Sequence, residues 1–315
     1  MHLRPVVLLL ALLSCGSPKP PAATASTAEP VPTAPPTHHG LAGSRLRFRL
    51  PDGFERFTRL PVFFHSERDV SIALLEGTAE SADVMGAMLD GFRRKLVVAD
   101  EVAITRGTAK GFERHAVLPD GKHEKMVALH DGAAFGAAIL TYTDSDSEMA
   151  RTVIESLSID PAAPLDPLAI HGISLATTEG FVVNRMFTAT ITLIEPGPWP
   201  LPKNSPGFAI AGGPLESEED LDAAIATYLA DADQDTATLK RFDLGGLPAI
   251  EVEADLTGPK KSQRLYLLVI KEAPTRLLLG WGNWNRDRPE VRERYRKIAL
   301  GMRGNPTVFG PAHLP

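Results

Sequence analysis

Between residues 44 and 304 the hydrophobic and polar positions run through one order twice. Each pass opens with an apolar strand end, a turn carrying glycine, and a phenylalanine. In the first it is Phe48-Arg49-Leu50-Pro51-Asp52-Gly53-Phe54, and in the second Leu175-Ala176-Thr177-Thr178-Glu179-Gly180-Phe181. Glycine suits such a turn because it takes positive φ without a steric cost. A helical stripe follows. Met85, Met88, Leu89, Phe92 and Leu96 sit behind Ser81-Ala82-Asp83, and Leu221, Ala224, Ile225, Tyr228, Leu229 and Ala232 sit behind Ser217 to Asp220. Both stripes predict a helix with one buried face, and Ser217 is the expected N-cap of the second.

Alternating runs broken by turn residues come next, and they predict an antiparallel meander. In the first pass these are Ile104–Arg106, Gly111–Val117, Lys125–His130 and Ala133–Tyr142. In the second they are Leu239–Phe242, Gly246–Ala254, Gln263–Lys271 and Thr275–Trp284. Each pass closes with a helical stripe, over Glu148–Leu157 and over Pro289–Met302, the latter with proline in its first turn. Runs of strands with helices at fixed places, rather than strict β-α alternation, point to α+β. The expected organisation is two tandem modules, 44–160 and 168–304, joined by a stiff linker at 161–167 and followed by a tail at 305–315.

The first 43 residues follow neither pattern. Arg4 precedes a short apolar run from Val6 to Leu13, too short for the ~20 residues of a membrane-spanning helix. Leu12-Leu13-Ser14-Cys15 resembles the bacterial lipobox, in which the cysteine is acylated and becomes the mature N-terminus. Residues 1–14 are therefore expected to be a lipoprotein signal peptide, with Cys15 lipidated. In proteins of this type, Gly16 rather than aspartate after the cysteine favours the outer membrane, facing the periplasm, over the inner membrane. Cys15 is the one cysteine of the chain, so its acylation leaves no thiol for disulfide, nucleophilic or metal chemistry. From Gly16 to Gly40 there are seven prolines, five alanines and four threonines and no aromatic residue. Such a segment buries too little surface to offset its ordering entropy. At about 3.1 Å per residue in polyproline II, this tether (within 15–43) would reach roughly 75 Å from a bilayer.

The repeated body resembles the PsbP-like fold, which includes bacterial envelope lipoproteins of the DcrB-like type. Phe48, Leu50-Pro51, Gly53-Phe54 and Gly111 carry the resemblance in the first copy, and Gly180-Phe181 and Gly246 in the second. The resemblance implies a central antiparallel sheet flanked by helices in each module. It also implies a binding or scaffolding role without shared catalytic residues.

Charge and motifs narrow the chemistry. The chain has 33 Lys+Arg against 39 Asp+Glu, a formal charge of −6. That balance argues against nucleic acid as the main partner, because phosphate binding needs clustered cations. The nucleophile elbow, the zinc-protease helix motif, the phosphate-binding loop and the dinucleotide fingerprint are all missing from the sequence. The nearest echo of an elbow, Gly172 to Ala176, lies on an expected strand. His115, His123 and His130 fall on the first meander, either as surface histidines or as a set converging across strands. The adjacent pair His38-His39 is a poor metal site by itself. Asp144, Asp146 and Glu148 read as caps of the following helix rather than a calcium loop. No metal and no cofactor is expected.

Aromatic residues supply the partner-binding candidates. Trp199 sits in the proline-rich stretch Glu195–Gly207, where a stiff loop either presents it for recognition or folds it back over a sheet edge. Trp281 and Trp284 are three apart on one strand, so they face opposite sides, one in the core and one exposed. Trp284 joins Trp199 as a candidate. The sequence thus reads as a non-catalytic, lipid-anchored envelope protein that meets the membrane through Cys15 and binds a protein or envelope component. The alternative is a chaperone or loading factor for apolar segments in a secretion pathway.

Overall fold

The structure is a computed structural model and describes residues 38–56, 60–78, 98–184, 190–197, 205–214, 220–230, 232–274 and 276–305. The leader, Cys15, most of the tether, the Met85–Leu96 stripe and Trp199 lie outside the described residues. Two compact units divide the chain. One takes in Pro61–Asp166 with the strands before Phe57, and the other runs on from Pro167.

In the first unit β1 (His38–His39), β2 (Leu46–Arg49), β3 (Phe54–Arg56), β4 (Val62–His65) and β5 (Ser71–Thr78) precede the meander. The meander is β6 (Val98–Arg106), β7 (Ala109–Val117), β8 (His123–His130) and β9 (Ala134–Tyr142). Helix α1 (Ser147–Ser156) and β10 (Ser158–Ile159) close the unit. Seven strands form one antiparallel sheet in the order β3-β4-β5-β9-β8-β7-β6, while β2 pairs with β1 and β10. Residues paired across a ladder share a face. The face carrying Phe63, Ile72 and Leu140 is covered by β2 and α1: Phe48 meets Phe63 edge-on at 5.7 Å, and Ala150, Val153 and Ile154 of α1 are buried. Chain 161–166 is hydrogen-bonded to this unit, with the Asp166 amide donating to the Gly43 carbonyl at 2.8 Å and Arg45 Nε to the Ala163 carbonyl at 3.1 Å.

The second unit begins with α2 (Pro167–His171), β11 (Ile173–Leu175), β12 (Val182–Val183), β13 (Ile191–Ile194) and β14 (Gly207–Pro214). Then come α3 (Asp220–Tyr228), β15 (Ala232–Asp243), β16 (Pro248–Leu256), β17 (Gln263–Ala273), β18 (Arg276–Asn285), α4 (Pro289–Leu300) and β19 (Met302–Gly304). Its seven-stranded sheet has the order β12-β13-β14-β18-β17-β16-β15, position for position the order of the first. A core lies on each face. Phe208, Tyr266 and Trp284 pack under Val291, Tyr295 and Ile298 of α4, and Val252, Leu267 and Leu279 pack under Ile225 and Leu229. Each large apolar side chain buried this way contributes about 1.5–3 kcal/mol. The architecture is α+β, two modules each built on an antiparallel sheet.

Close packing explains several glycines. A Cβ on Gly280 would meet Met302 Cε and Phe208 Cζ at 2.7 Å, so the empty position lets both side chains lie on β18. Gly53 (φ 89°) and Gly180 (φ 80°) hold matching left-handed turns. Gly111 and Gly246, by contrast, are not matching positions. Gly111 lies inside β7, where a Cβ would fall 1.8 Å from the Ala128 carbonyl oxygen, whereas Gly246 (φ 92°) is in the turn between β15 and β16.

Candidate functional site

In the first module the cover over the helix-side face is uneven. Ladder pairing places Asp100 and Val102 of β6, Glu113, His115 and Val117 of β7, His123 and Lys125 of β8, and Leu140 and Tyr142 of β9 on that face. Val127 and Leu140 are fully buried beneath the cover, while Val102 is 60% exposed and Val117 47%. The β6–β7 end therefore presents two valines around half-buried charged groups. Lys125 pairs with Glu113, which also faces Arg106 at 3.7 Å.

Two histidines occupy the middle of this end. His115 pairs in register with Lys125, and Val117 with His123, so the two histidines are diagonal neighbours across β7 and β8. His115 Nε2 is 2.9 Å from His123 Nδ1, and His123 Nε2 is 2.7 Å from Asp144 Oδ1. The rings of His115 and His123 stack at 5.0 Å, and that of His123 stacks on Tyr142 at 5.4 Å. Burial pushes His115 below the ordinary histidine value; the neighbouring His123 and Lys125 charges add to this, against Asp100. The sequence left open whether these histidines converge. The structure joins His115 to His123, while His130 is exposed at the far end of β8.

The three carboxylates Asp144, Asp146 and Glu148 go to different partners. Asp144 meets His123 and Glu148 meets Arg151 at 3.7 Å. Asp146 is bonded by Thr143 Oγ1 at 2.6 Å and Arg68 at 3.0 Å. Burial works against its charge, but those bonds outweigh it and hold the carboxyl below its usual range. Among the described residues, no group of three His, Cys, Asp or Glu is placed to hold a metal ion. Ser174 lies on strand β11 with its hydroxyl toward the Arg303 carbonyl.

Each module also has a groove beside its closing helix. In the first, a cavity of about 740 Å³ lies at the C-terminal end of α1, lined by Arg49, Arg106, Gly107, Thr152, Ser156 and Ile159 among others. Arg106 donates to the carbonyls of Ile154 and Leu157, where it neutralises the negative end of the helix. In the second, a cavity of about 320 Å³ is bridged by ion pairs from Arg292 to Glu253 and from Arg296 to Glu251.

Trp284 is not a surface residue. It is 4% exposed, belongs to the core under α4, and carries the Arg264 guanidinium 5.6 Å from its ring. Trp281 does face the other side, with its ring 5.5 Å from Tyr228. Three-residue spacing set the two tryptophans on opposite faces, but both faces are covered at β18, so Trp284 has no open side from which to meet a partner. The exposed valines were missed in the sequence because they do not stand out from an ordinary alternating strand.

No protein-family model matches the chain, and no curated protein matches it. Among solved structures it is similar to the immunity protein TplEi of T6SS from Pseudomonas aeruginosa, at 11% identity over 85% of this chain and 97% of that one, with a TM-score of 0.33. It is similar to a chain of the Tle4-Tli4 complex, at 11% identity over 81% and 98%, with a TM-score of 0.34. Cyanobacterial PsbP (CyanoP) from Synechocystis sp. PCC 6803 is similar at 13% identity, over 42% of this chain and 91% of that one, with a TM-score of 0.27.

Proposed function

We propose that this is a non-catalytic envelope lipoprotein, anchored through acylated Cys15 and facing the periplasm at the outer membrane, which binds a protein partner through the open end of its first sheet. The observation that carries this reading is the pair Val102 and Val117, 60% and 47% exposed on a rigid sheet face whose other end is sealed. A flat β surface with apolar groups ringed by charge suits protein docking, since its side chains lose little freedom on binding. Trp199, in the proline-rich stretch Glu195–Gly207, is the proposed contact of the second module. The geometry offers little to a catalyst: His115 has another histidine and not a hydroxyl nucleophile as its partner, and the buried Glu251 is engaged by Arg296.

The test is affinity capture after crosslinking in cells, comparing the natural chain with Val102→Asp and with Val117→Asp. Loss of the same captured protein in both variants, with unchanged melting temperature, is the expected result. Capture that is indifferent to both changes would remove this face from the function.

A further inference from the structure

We infer that His115 and His123 act as a single proton-responsive unit that makes the open end of the first sheet sensitive to acidification. With His115 Nε2 and His123 Nδ1 only 2.9 Å apart, one nitrogen must carry the proton and the other must accept it. Asp144 Oδ1, 2.7 Å away, fixes His123 Nε2 as a donor. Two arrangements satisfy these contacts. Either neutral His123 accepts from His115, or cationic His123 donates to neutral His115. Both hold at most one extra proton between the two rings. A second proton sets two N–H groups against each other, so the bond must break and one ring must turn away.

The surroundings favour this order of events. Asp144 accepts from His123, while Lys125 is the residue paired directly across from His115. Asp100 of β6 and Glu113 of β7 also face the pair, as does Tyr142 of β9, whose ring stacks on His123. Lys125 is already tied to Glu113, which leaves Asp100 as the carboxylate across from His115. Burial holds His115 below the ordinary histidine value.

The second module acts as an internal reference. At the matching end of its sheet Trp284 pairs in register with Arg264, as Tyr142 pairs with His123. There Arg264 Nε lies 2.8 Å from Asp255 Oδ1, an ion pair of guanidinium and carboxylate with no imidazole in it. The same structural place thus carries a permanent ion pair in one module and a titrating one in the other.

Its consequence for binding rests on the docking reading above. His115 lies on the face between Val102 and Val117, so a second proton there adds charge to the centre of the proposed contact. Partner binding should weaken about tenfold between about pH 7.5 and about pH 5.5, with His115→Gln reducing the dependence and His115→Gln combined with His123→Gln abolishing it.

The deciding experiment needs no partner. The full chain is labelled with ¹⁵N in its histidine rings and titrated from about pH 8 to about pH 4.5, with His115→Gln and His123→Gln giving the assignments. Only one ring of the pair should take up a second proton in the range where the exposed histidines do, and His115 should return toward the ordinary value in His123→Gln. Should His123→Gln not fold, Asp144→Asn at the 92% exposed carboxylate serves instead, and the first protonation should shift to lower pH. Two independent titrations at the ordinary value, unchanged by either substitution, would overturn the inference. Failure of the Val102→Asp capture test would remove only the docking reading and leave the coupled titration to be judged on its own.

Discussion

The Tyr266 hydroxyl donates to Glu251 Oε1 at 2.9 Å inside the second module, and Arg296 Nε meets the same oxygen at 2.9 Å. Glu251 is 6% exposed, so this carboxylate is held by one phenol from the sheet and one guanidinium from α4. The acceptor raises the phenol further: burial first, then the Glu251 charge, push Tyr266 well above the usual tyrosine range. Replacing Tyr266 by Phe removes a bond to a charged group but leaves Glu251 its arginine. The expected cost is about 1.5–3 kcal/mol in chemical denaturation. Glu251→Leu strands the buried phenol instead and should cost about 1–3 kcal/mol. Equal stability of both variants to the natural chain would show that the polar contact contributes nothing to holding α4.

Gly111→Ala should be among the most damaging single changes in the first module. The new Cβ would lie 1.8 Å from the Ala128 carbonyl oxygen, and that neighbour is backbone in the adjacent strand. Relief requires β7 and β8 to spread, at about 2–4 kcal/mol. A thermal melt reads this directly. Gly121→Ala, in the turn between those strands, has nothing within 4 Å of its Cβ and should cost less, the strain coming only from φ 85°.

Glu76 and His115 should respond to pH in opposite directions. Glu76 is 1% exposed, and burial raises its carboxyl above the ordinary value, against bonds from Ser44 at 2.7 Å and the Arg45 amide at 2.9 Å. The folded state therefore holds a proton more tightly than the unfolded chain. This group's contribution is fully present below the ordinary glutamate value and is lost as pH rises through the raised one. For His115 the folded value is depressed. Its contribution is fully present above the ordinary histidine value and declines as pH falls toward the folded one. In denaturation across pH 4–8, Glu76→Gln should remove a loss of stability as pH rises above the ordinary glutamate value, and His115→Gln a loss as pH falls below the ordinary histidine value. A profile unchanged by either substitution would contradict both assignments.

Cys15→Ser should move the protein from the membrane fraction to the soluble fraction of the envelope. Several acyl chains at about 0.8 kcal/mol per buried CH₂ anchor a protein stably, and serine accepts none of them. Retention of the Cys15→Ser protein in the membrane fraction would remove the lipid anchor from the proposal.

The register of the first meander shows where reading the sequence stops. Alternation in Gly111–Val117 and Lys125–His130, with turns at Asp120-Gly121 and Asp131-Gly132, makes both strands legible, because a half-buried strand has a period of two and its turns need glycine at positive φ. The repeated element order was legible for the same reason, and the structure shows one sheet order in both modules. Alternation also puts Trp281 and Trp284 on opposite faces.

What alternation does not encode is cover. Val102 and Leu140 share one face of one sheet, yet one is 60% exposed and the other fully buried, because α1 and β2 lie over only part of it. The partnership of His115 with His123 depends on a ladder register that brings residues eight apart into diagonal contact, and a shift of one residue would send one ring to the other face. The sequence by itself determined the strands, the turns and the repeated element order, since these rest on local periodicity and backbone preference. Only the tertiary structure decided which face end stays open, that Trp284 is sealed beneath α4, and that the two histidine rings come within hydrogen-bond distance, because each depends on which distant segments come to rest against one another.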